Sequence, residues 1–210
     1  MIRLLIADDH PIVRAGLRRI AEENRSISVT AEAANGDEAL AALDKAAVDV
    51  VLLDISMPGP PFTDMLHRIR ERHPSVRVLV LSTHPEDQWA VRALRAGASG
   101  YLTKDHSPDQ LLDAVRRVHR GGRFVSPTLA EKLAARLGPD IAGAPHEVLS
   151  DREFEVLRRL GTGRSVKEVA AELDLSPKTV STYRTRLMEK MRFSSTSDLV
   201  RYAAHHGLIQ

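Results

Sequence analysis

The ten residues Ile2-Arg3-Leu4-Leu5-Ile6-Ala7-Asp8-Asp9-His10-Pro11 decide the fold. An almost purely apolar run stops at two carboxylates, and Pro11 then takes a favoured first helical position. Ile12, Ala15, Leu17 and Ile20 follow at helix-like spacing. Four further segments share the character of the first run: Ile27–Ala33, Val48–Leu53, Val76–Leu81 and Gly100–Thr103. Val48–Leu53 and Val76–Leu81 are near-continuously apolar rather than alternating, which suits parallel strands buried on both faces. Helical patterns with breakers at their edges lie between the runs, and Asn35-Gly36 opens one of them. Alternating strands and helices imply a doubly wound α/β domain closing near Gly121-Gly122.

Beyond that point the grammar changes. A short helix fits Thr128–Leu137, and Gly138–Pro145 reads as a linker. From Val148 onward the pattern is wholly helical. Ser150 with Glu153, Ser165 with Glu168 and Ser195 with Asp198 have the capping-box form, and Ser176-Pro177 offers an N-cap followed by proline. The expected division is therefore 1–122, a linker over 123–145 with a short helix, and a smaller all-α domain over 146–210. Of the 210 residues 43% are apolar and 28% charged, which excludes a disordered chain. With no cysteine there is no disulfide framework, thiolate zinc site or cysteine nucleophile. No apolar stretch is long enough for a bilayer and no secretory signal opens the chain, so a cytoplasmic protein with no membrane partner is expected.

In a doubly wound sheet, chemistry collects at the carboxyl ends of the strands. Those ends carry Asp8 and Asp9, then Asp54, Ser82 and Lys104. An aspartate after a strand is often only a cap or turn residue. Five such polar groups at the ends of four strands point instead to a site. Three clustered carboxylates need a cation, and hard oxygen ligands select Mg²⁺ or a similar ion. One carboxylate could then act as a nucleophile toward phosphorus while an amine and a hydroxyl hold the transferred group.

Ala7-Asp8-Asp9-His10-Pro11, Leu53-Asp54-Ile55-Ser56-Met57-Pro58-Gly59, Leu81-Ser82 and Gly100-Tyr101-Leu102-Thr103-Lys104 together resemble the receiver domain of two-component response regulators, over residues 1–122. The resemblance implies a five-stranded flavodoxin-like fold with Asp54 as phosphoacceptor for a histidine kinase. It implies Mg²⁺ on Asp8, Asp9, Asp54 and the Ser56 backbone carbonyl, phosphoryl contacts from Ser82 and Lys104, and Tyr101 as the switch aromatic. Pro60-Pro61-Phe62-Thr63 departs from the Met-Asp-Gly-like turn usual there and should stiffen the loop beside Asp54.

Ser165–Leu173 and Ser176–Met191, joined by a tight turn, have the form of a helix-turn-helix. Helical projection places Val180, Tyr183, Leu187 and Met191 inward, and Lys178, Ser181, Thr182, Thr185 and Glu189 outward, with Arg184 and Arg186 flanking. Short hydrogen-bonding groups edged by guanidiniums suit the major groove, although a solvated helix face can look the same. Leu149–Glu153 with Glu155-Val156-Leu157, Lys167–Ala170 and Ser176–Val180 resemble the LuxR-type DNA-binding domain, and with a receiver this is the NarL/FixJ arrangement. That resemblance implies base contacts from Ser181, Thr182 and Thr185, and phosphate contacts from Lys178, Thr179, Arg184 and Arg186. It also implies a dimer contact through Leu199, Val200, Tyr202 and Ala203, which are expected to be core in part.

The reading is a phosphorylation-controlled transcription regulator that is not an enzyme beyond its own aspartyl phosphorylation and dephosphorylation. Its expected partners are a histidine kinase, duplex DNA with paired half-sites, a second copy when phosphorylated, and RNA polymerase. Two alternatives stay open: an aspartate-nucleophile phosphohydrolase, disfavoured because Ser56 and Met57 supply no second acid, and a phosphorylation-independent regulator using its receiver only to dimerise. Net charge says little until divided. Residues 146–210 carry 11 basic and 9 acidic side chains, yet Ser176–Arg192 carries five and one.

Overall fold

The computed structural model describes residues 1–127, 129–131 and 145–209, without the side chains of residues 87 and 88. Strands β1 (Ile2–Ala7), β2 (Ile27–Ala33), β3 (Val50–Leu53), β4 (Arg77–Ser82) and β5 (Gly100–Thr103) form one parallel sheet in the order β2-β1-β3-β4-β5. Helices α1 (Pro11–Glu22), α2 (Gly36–Lys45), α3 (Phe62–Arg72), α4 (Glu86–Ala96) and α5 (Pro108–His119) make the crossovers. The apolar runs of β1, β3 and β4 are almost fully buried, each large side chain worth roughly 1.5–3 kcal/mol over exposure. Because strand order reverses beside β1, a crevice opens outside the carboxyl ends of β1 and β3.

Two details depart from the periodicity. Spacing placed α1 correctly, but its inward stripe is Val13, Leu17, Ile20 and Ala21, while Ile12 stands 87% exposed. Pairing of β3 begins at Val50 rather than Val48. Asp49 bends out of the strand to accept hydrogen bonds from the Arg3 backbone N–H at 2.8 Å and from its Nε at 3.0 Å.

The chain continues on the sheet past Gly121-Gly122, with Phe124 N–H donating to the Ser99 carbonyl (3.1 Å) and Tyr101 N–H to the Phe124 carbonyl (3.0 Å). Compact units run Met1–Pro139 and Asp140–Gln210. Of the expected helix Thr128–Leu137, residues 129–131 are helical; the rest of it and most of the expected linker lie outside the described residues.

The second unit holds a 3-10 turn (Pro145–Val148) and helices α6 (Asp151–Gly161), α7 (Val166–Glu172), α8 (Pro177–Met191) and α9 (Thr196–His205). Ser150, Ser165, Ser176 and Ser195 each accept a hydrogen bond from the third residue onward, so every helix here starts at a satisfied N-cap. Phe154, Leu157, Val169, Val180, Leu187, Leu199 and Ala203 are fully buried and form its core. Among the described residues no helix is long and apolar enough to cross a membrane.

Candidate functional site

Parallel pairing brings the strand ends to one rim. Asp54 N–H donates to the Ala7 carbonyl (2.9 Å), and Lys104 N–H to the Ser82 carbonyl (2.8 Å), so the ladder fixes the backbone under each functional side chain. The Lys104 ammonium lies 2.6 Å from Asp54 Oδ2, to which it donates, and 2.7 Å from Asp8 Oδ2. Ser56 N–H donates to Asp54 Oδ1 at 3.0 Å. Asp8, Asp54 and Ser82 are buried, Asp9 half-buried.

Burial pushes the Asp54 carboxyl above its ordinary pKa, and the Lys104 and Ser56 hydrogen bonds only partly oppose it. For Lys104 burial works against the charge, but its hydrogen bond to Asp54 and the nearby carboxylate of Asp8 outweigh it and hold the ammonium above its usual value. A charged lysine thus stays between two carboxylates.

Donor atoms of Asp8, Asp9, His10 and Asp54 all lie within 4.8 Å of one another. Asp8 Oδ2 and Asp9 Oδ1 are buried and accept no hydrogen bond of good geometry, although Lys104 and His10 nitrogens stand within ion-pair distance of them. Under-satisfied carboxylate oxygens packed this closely fit a hard cation. The donor set is all-oxygen apart from His10, whose side chain is 65% exposed.

Sequence reasoning missed His84. Its backbone N–H donates to Ser82 Oγ (3.0 Å), its carbonyl accepts from the Tyr101 hydroxyl (2.9 Å), and its Nε2 lies 3.2 Å from Ser56 Oγ. The ring stacks on Trp89 with centroids 4.8 Å apart, and Phe62 packs on Trp89 at 5.8 Å. One residue therefore touches three of the expected site residues, and its place two residues after Ser82 is the only signal of it in the sequence. Tyr101, expected as the switch aromatic, is already inward at 1% exposure.

The proline-rich loop has a structural partner. Pro58 accepts from Gly36 N–H at 3.0 Å, and Pro60 packs on the same glycine. A Cβ at Gly36 would stand 2.7 Å from Met65 Sδ and 3.1 Å from Pro60 Cδ, so a larger residue there would have to displace Met65 and press on Pro60. Pro61 then precedes α3, and Phe62 is buried.

On α8, Lys178, Ser181, Thr182, Thr185 and Arg186 are exposed, while Val180 and Leu187 are fully buried. Tyr183 and Met191, expected inward, are only half-buried. Thr182 and Thr185 hydroxyls donate to the carbonyls four residues back, leaving their oxygens outward as acceptors. Thr179 is half-buried with its hydroxyl against Ser176 Oγ at 2.8 Å. Arg184 is half-buried too, and donates to Thr196 Oγ1 at 2.9 Å rather than standing free at the flank.

On α9 the expected dimer contact divides. Leu199 and Ala203 are fully buried in their own domain, and Ala203 Cβ stands 2.8 Å from where a Cβ of Gly161 would be. Neither can meet a second copy. Tyr202 is half-buried, with its hydroxyl 2.9 Å from His146 Nδ1, and Val200 is half-buried.

An acidic rim on a β2-β1-β3-β4-β5 sheet, joined to a capped helix-turn-helix, defines a two-domain signalling regulator. Residues 4–116 match the response regulator receiver domain, and residues 147–203 match the bacterial regulatory proteins of the luxR family. The chain belongs to the response regulators of the NarL/FixJ type, and is a phosphorylation-controlled transcription regulator.

Among particular relatives it is 36% identical to response regulator UvrY of Escherichia coli K12, over 99% of this chain and 96% of the relative. It is 35% identical to response regulator GacA of Pseudomonas viridiflava, over 100% and 98%. The solved structure of RcsB from Salmonella enterica serovar Typhimurium, bound to promoter rprA in the presence of phosphomimetic BeF3-, superposes with a TM-score of 0.64. The match covers 97% of this chain and 98% of that one at 27% identity.

Proposed function

We propose that Asp54 accepts a phosphoryl group from a histidine kinase. The observation that carries this is the Asp54 carboxylate held 2.6 Å from a charged Lys104, among two further carboxylates at the mouth of the sheet. An Asp54 oxygen attacks phosphorus, the bond from phosphorus to the kinase histidine breaks, and the imidazole leaves with the electron pair and picks up a proton. This chain catalyses its own aspartyl phosphorylation and dephosphorylation and no other turnover. Mg²⁺ would be held by Asp8, Asp9, Asp54 and the Ser56 backbone carbonyl, and when bound supplies neutralising charge for the phosphoryl oxygens. Lys104 holds one side of that group and the Ser82 hydroxyl the other.

Ser82 now accepts from the His84 backbone, so a phosphoryl group that recruits its hydroxyl loosens the His84 loop. Because Tyr101 already points inward, the change falls on that loop rather than on the ring. The output is dimerisation on duplex DNA with paired half-sites, the receiver being residues 1–122, the linker 123–145 and the reader 146–210. RcsB dimers bound to DNA, in a chain of the same architecture, support this reading. Ser181, Thr182 and Thr185 face bases, while Lys178, Thr179, Arg184 and Arg186 take phosphates, Arg184 after releasing Thr196. Of the α9 residues Val200 and Tyr202 remain for the dimer contact. RNA polymerase is the downstream partner, and the cytoplasm is the compartment.

The test is Asp54→Ala incubated with radiolabelled acetyl phosphate and Mg²⁺. Label on the wild-type chain and none on the variant is the expected result. Persistent label on the variant would refute the assignment, and a wild-type chain that never labels would favour a phosphorylation-independent regulator.

A further inference from the structure

At the opposite end of the sheet from Asp54, a cavity of about 390 Å³ opens between the ends of α3 and α4 and the starts of β4 and β5. Its lining is mostly polar, because Leu66 and Ile69 beneath it are fully buried and Leu94 is only partly exposed. Four arginines, Arg70, Arg77, Arg95 and Arg123, stand around it, and no carboxylate lines it.

Two of these cations have an ordinary reason to be there. Arg70 and Arg95 sit in the last turns of α3 and α4, where positive charge complements the helix dipole. Arg77 and Arg123 have none, since one opens a strand and the other lies in the segment after α5. Among the described residues Arg70, Arg77 and Arg123 form no ion pair, although surface acids are as common as bases over residues 1–122. Arg70 lies against Gly97, its Cδ 3.4 Å from where a Cβ would be, which keeps its head group at the cavity. The like charges of Arg70, Arg77 and Arg123 around one concavity repel one another unless an anion joins them.

We propose that this cavity binds a small polyphosphate anion, with its phosphates among the guanidiniums of Arg70, Arg77 and Arg123. Guanidinium forks match phosphate oxygens in pairs, and the volume falls within the range of small-molecule sites. Nothing in this assignment depends on Asp54, so it stands or falls apart from the proposed phosphorylation.

The full-length chain would be titrated in a calorimeter with ADP, with pyrophosphate and with adenosine, all without Mg²⁺. Saturable binding of pyrophosphate and of ADP, and none of adenosine, are expected. Arg77→Gln combined with Arg123→Gln should weaken ADP roughly ten- to hundredfold. Arg186→Gln, on the basic face of α8, should leave it unchanged. Circular dichroism and a thermal melt of the double variant serve as the check that it is folded. No saturable binding by the wild-type chain, or equal binding by the double variant, would overturn the proposal. Equal loss in Arg186→Gln would do the same, because it would assign the phosphate to α8. Adenosine bound as tightly as ADP would overturn the assignment to the phosphates.

Discussion

The acidic rim and the outward face of α8 both carry charge for a purpose, but they are built in opposite ways. The rim takes Asp8, Asp9, Asp54, Ser82 and Lys104 from the ends of four strands, buries most of them, and ties Asp8 and Asp54 to Lys104 at 2.6–2.7 Å. The helix face takes its residues from one element and leaves Lys178, Ser181, Thr182, Thr185 and Arg186 in solvent. A site for a small, hard group has to be preorganised, because each misplaced buried charge costs several kcal/mol. A surface that meets a polyanion in water needs only charge of the right sign on a rigid support.

If that contrast holds, single substitutions should be expensive at the rim and graded on the helix. Lys104→Ala leaves Asp8 and Asp54 facing each other, and should destabilise the metal-free chain by roughly 3 kcal/mol. Added Mg²⁺ should recover much of that, because the cation replaces the lost ammonium. Thermal melts with and without Mg²⁺ would show it, and an unchanged melting temperature would mean the rim is not held by its own charges. Arg186→Ala should weaken binding to all duplexes by only about three- to tenfold, and lower the slope of log affinity against log salt by about one. A loss confined to one sequence would make Arg186 a base reader and sharpen the division differently.

The smallest effect is expected away from both sites, at the Arg3–Asp49 pair. Its hydrogen bonds with Arg3 hold the Asp49 carboxyl down at about 2, from an ordinary value of 3.8. A depressed carboxyl contributes stability above its unfolded pKa and loses it as pH falls toward the folded one. Asp49→Asn should therefore cost up to about 1 kcal/mol at neutral pH, after allowing for the exposure of Arg3, and nothing near pH 2. Urea melts at several pH values would reveal a penalty that failed to fade with acid, and such a penalty would make the pair structural rather than electrostatic.

The legibility of the two regions also differs. The rim could be read because strand ends are marked in sequence: an apolar run stops, and a polar residue follows. The helix starts could be read because serine with an acid three residues on is a local signal, and all three boxes close as written. What could not be read depends on contacts distant in sequence. Ile12 lies off the inward stripe of α1 because the angle of that helix to the sheet, not its spacing, selects Val13 and Leu17. Leu199 and Ala203 are core because Gly161, some forty residues earlier, leaves room for them. Arg184 meets Thr196 across a turn that no periodicity encodes. His84 becomes a hub only once Ser56, Ser82 and Tyr101 have been gathered by the sheet.

The stack of His84 on Trp89 has a practical meaning. Trp89 is the chain's single tryptophan, and the imidazole lying on it is bonded through its backbone to Ser82. The indole is therefore a native fluorophore with an imidazole resting on its face, bonded to a residue proposed to hold the phosphoryl group. If phosphorylation moves the His84 loop as proposed, tryptophan emission should report it, and no dye needs to be attached.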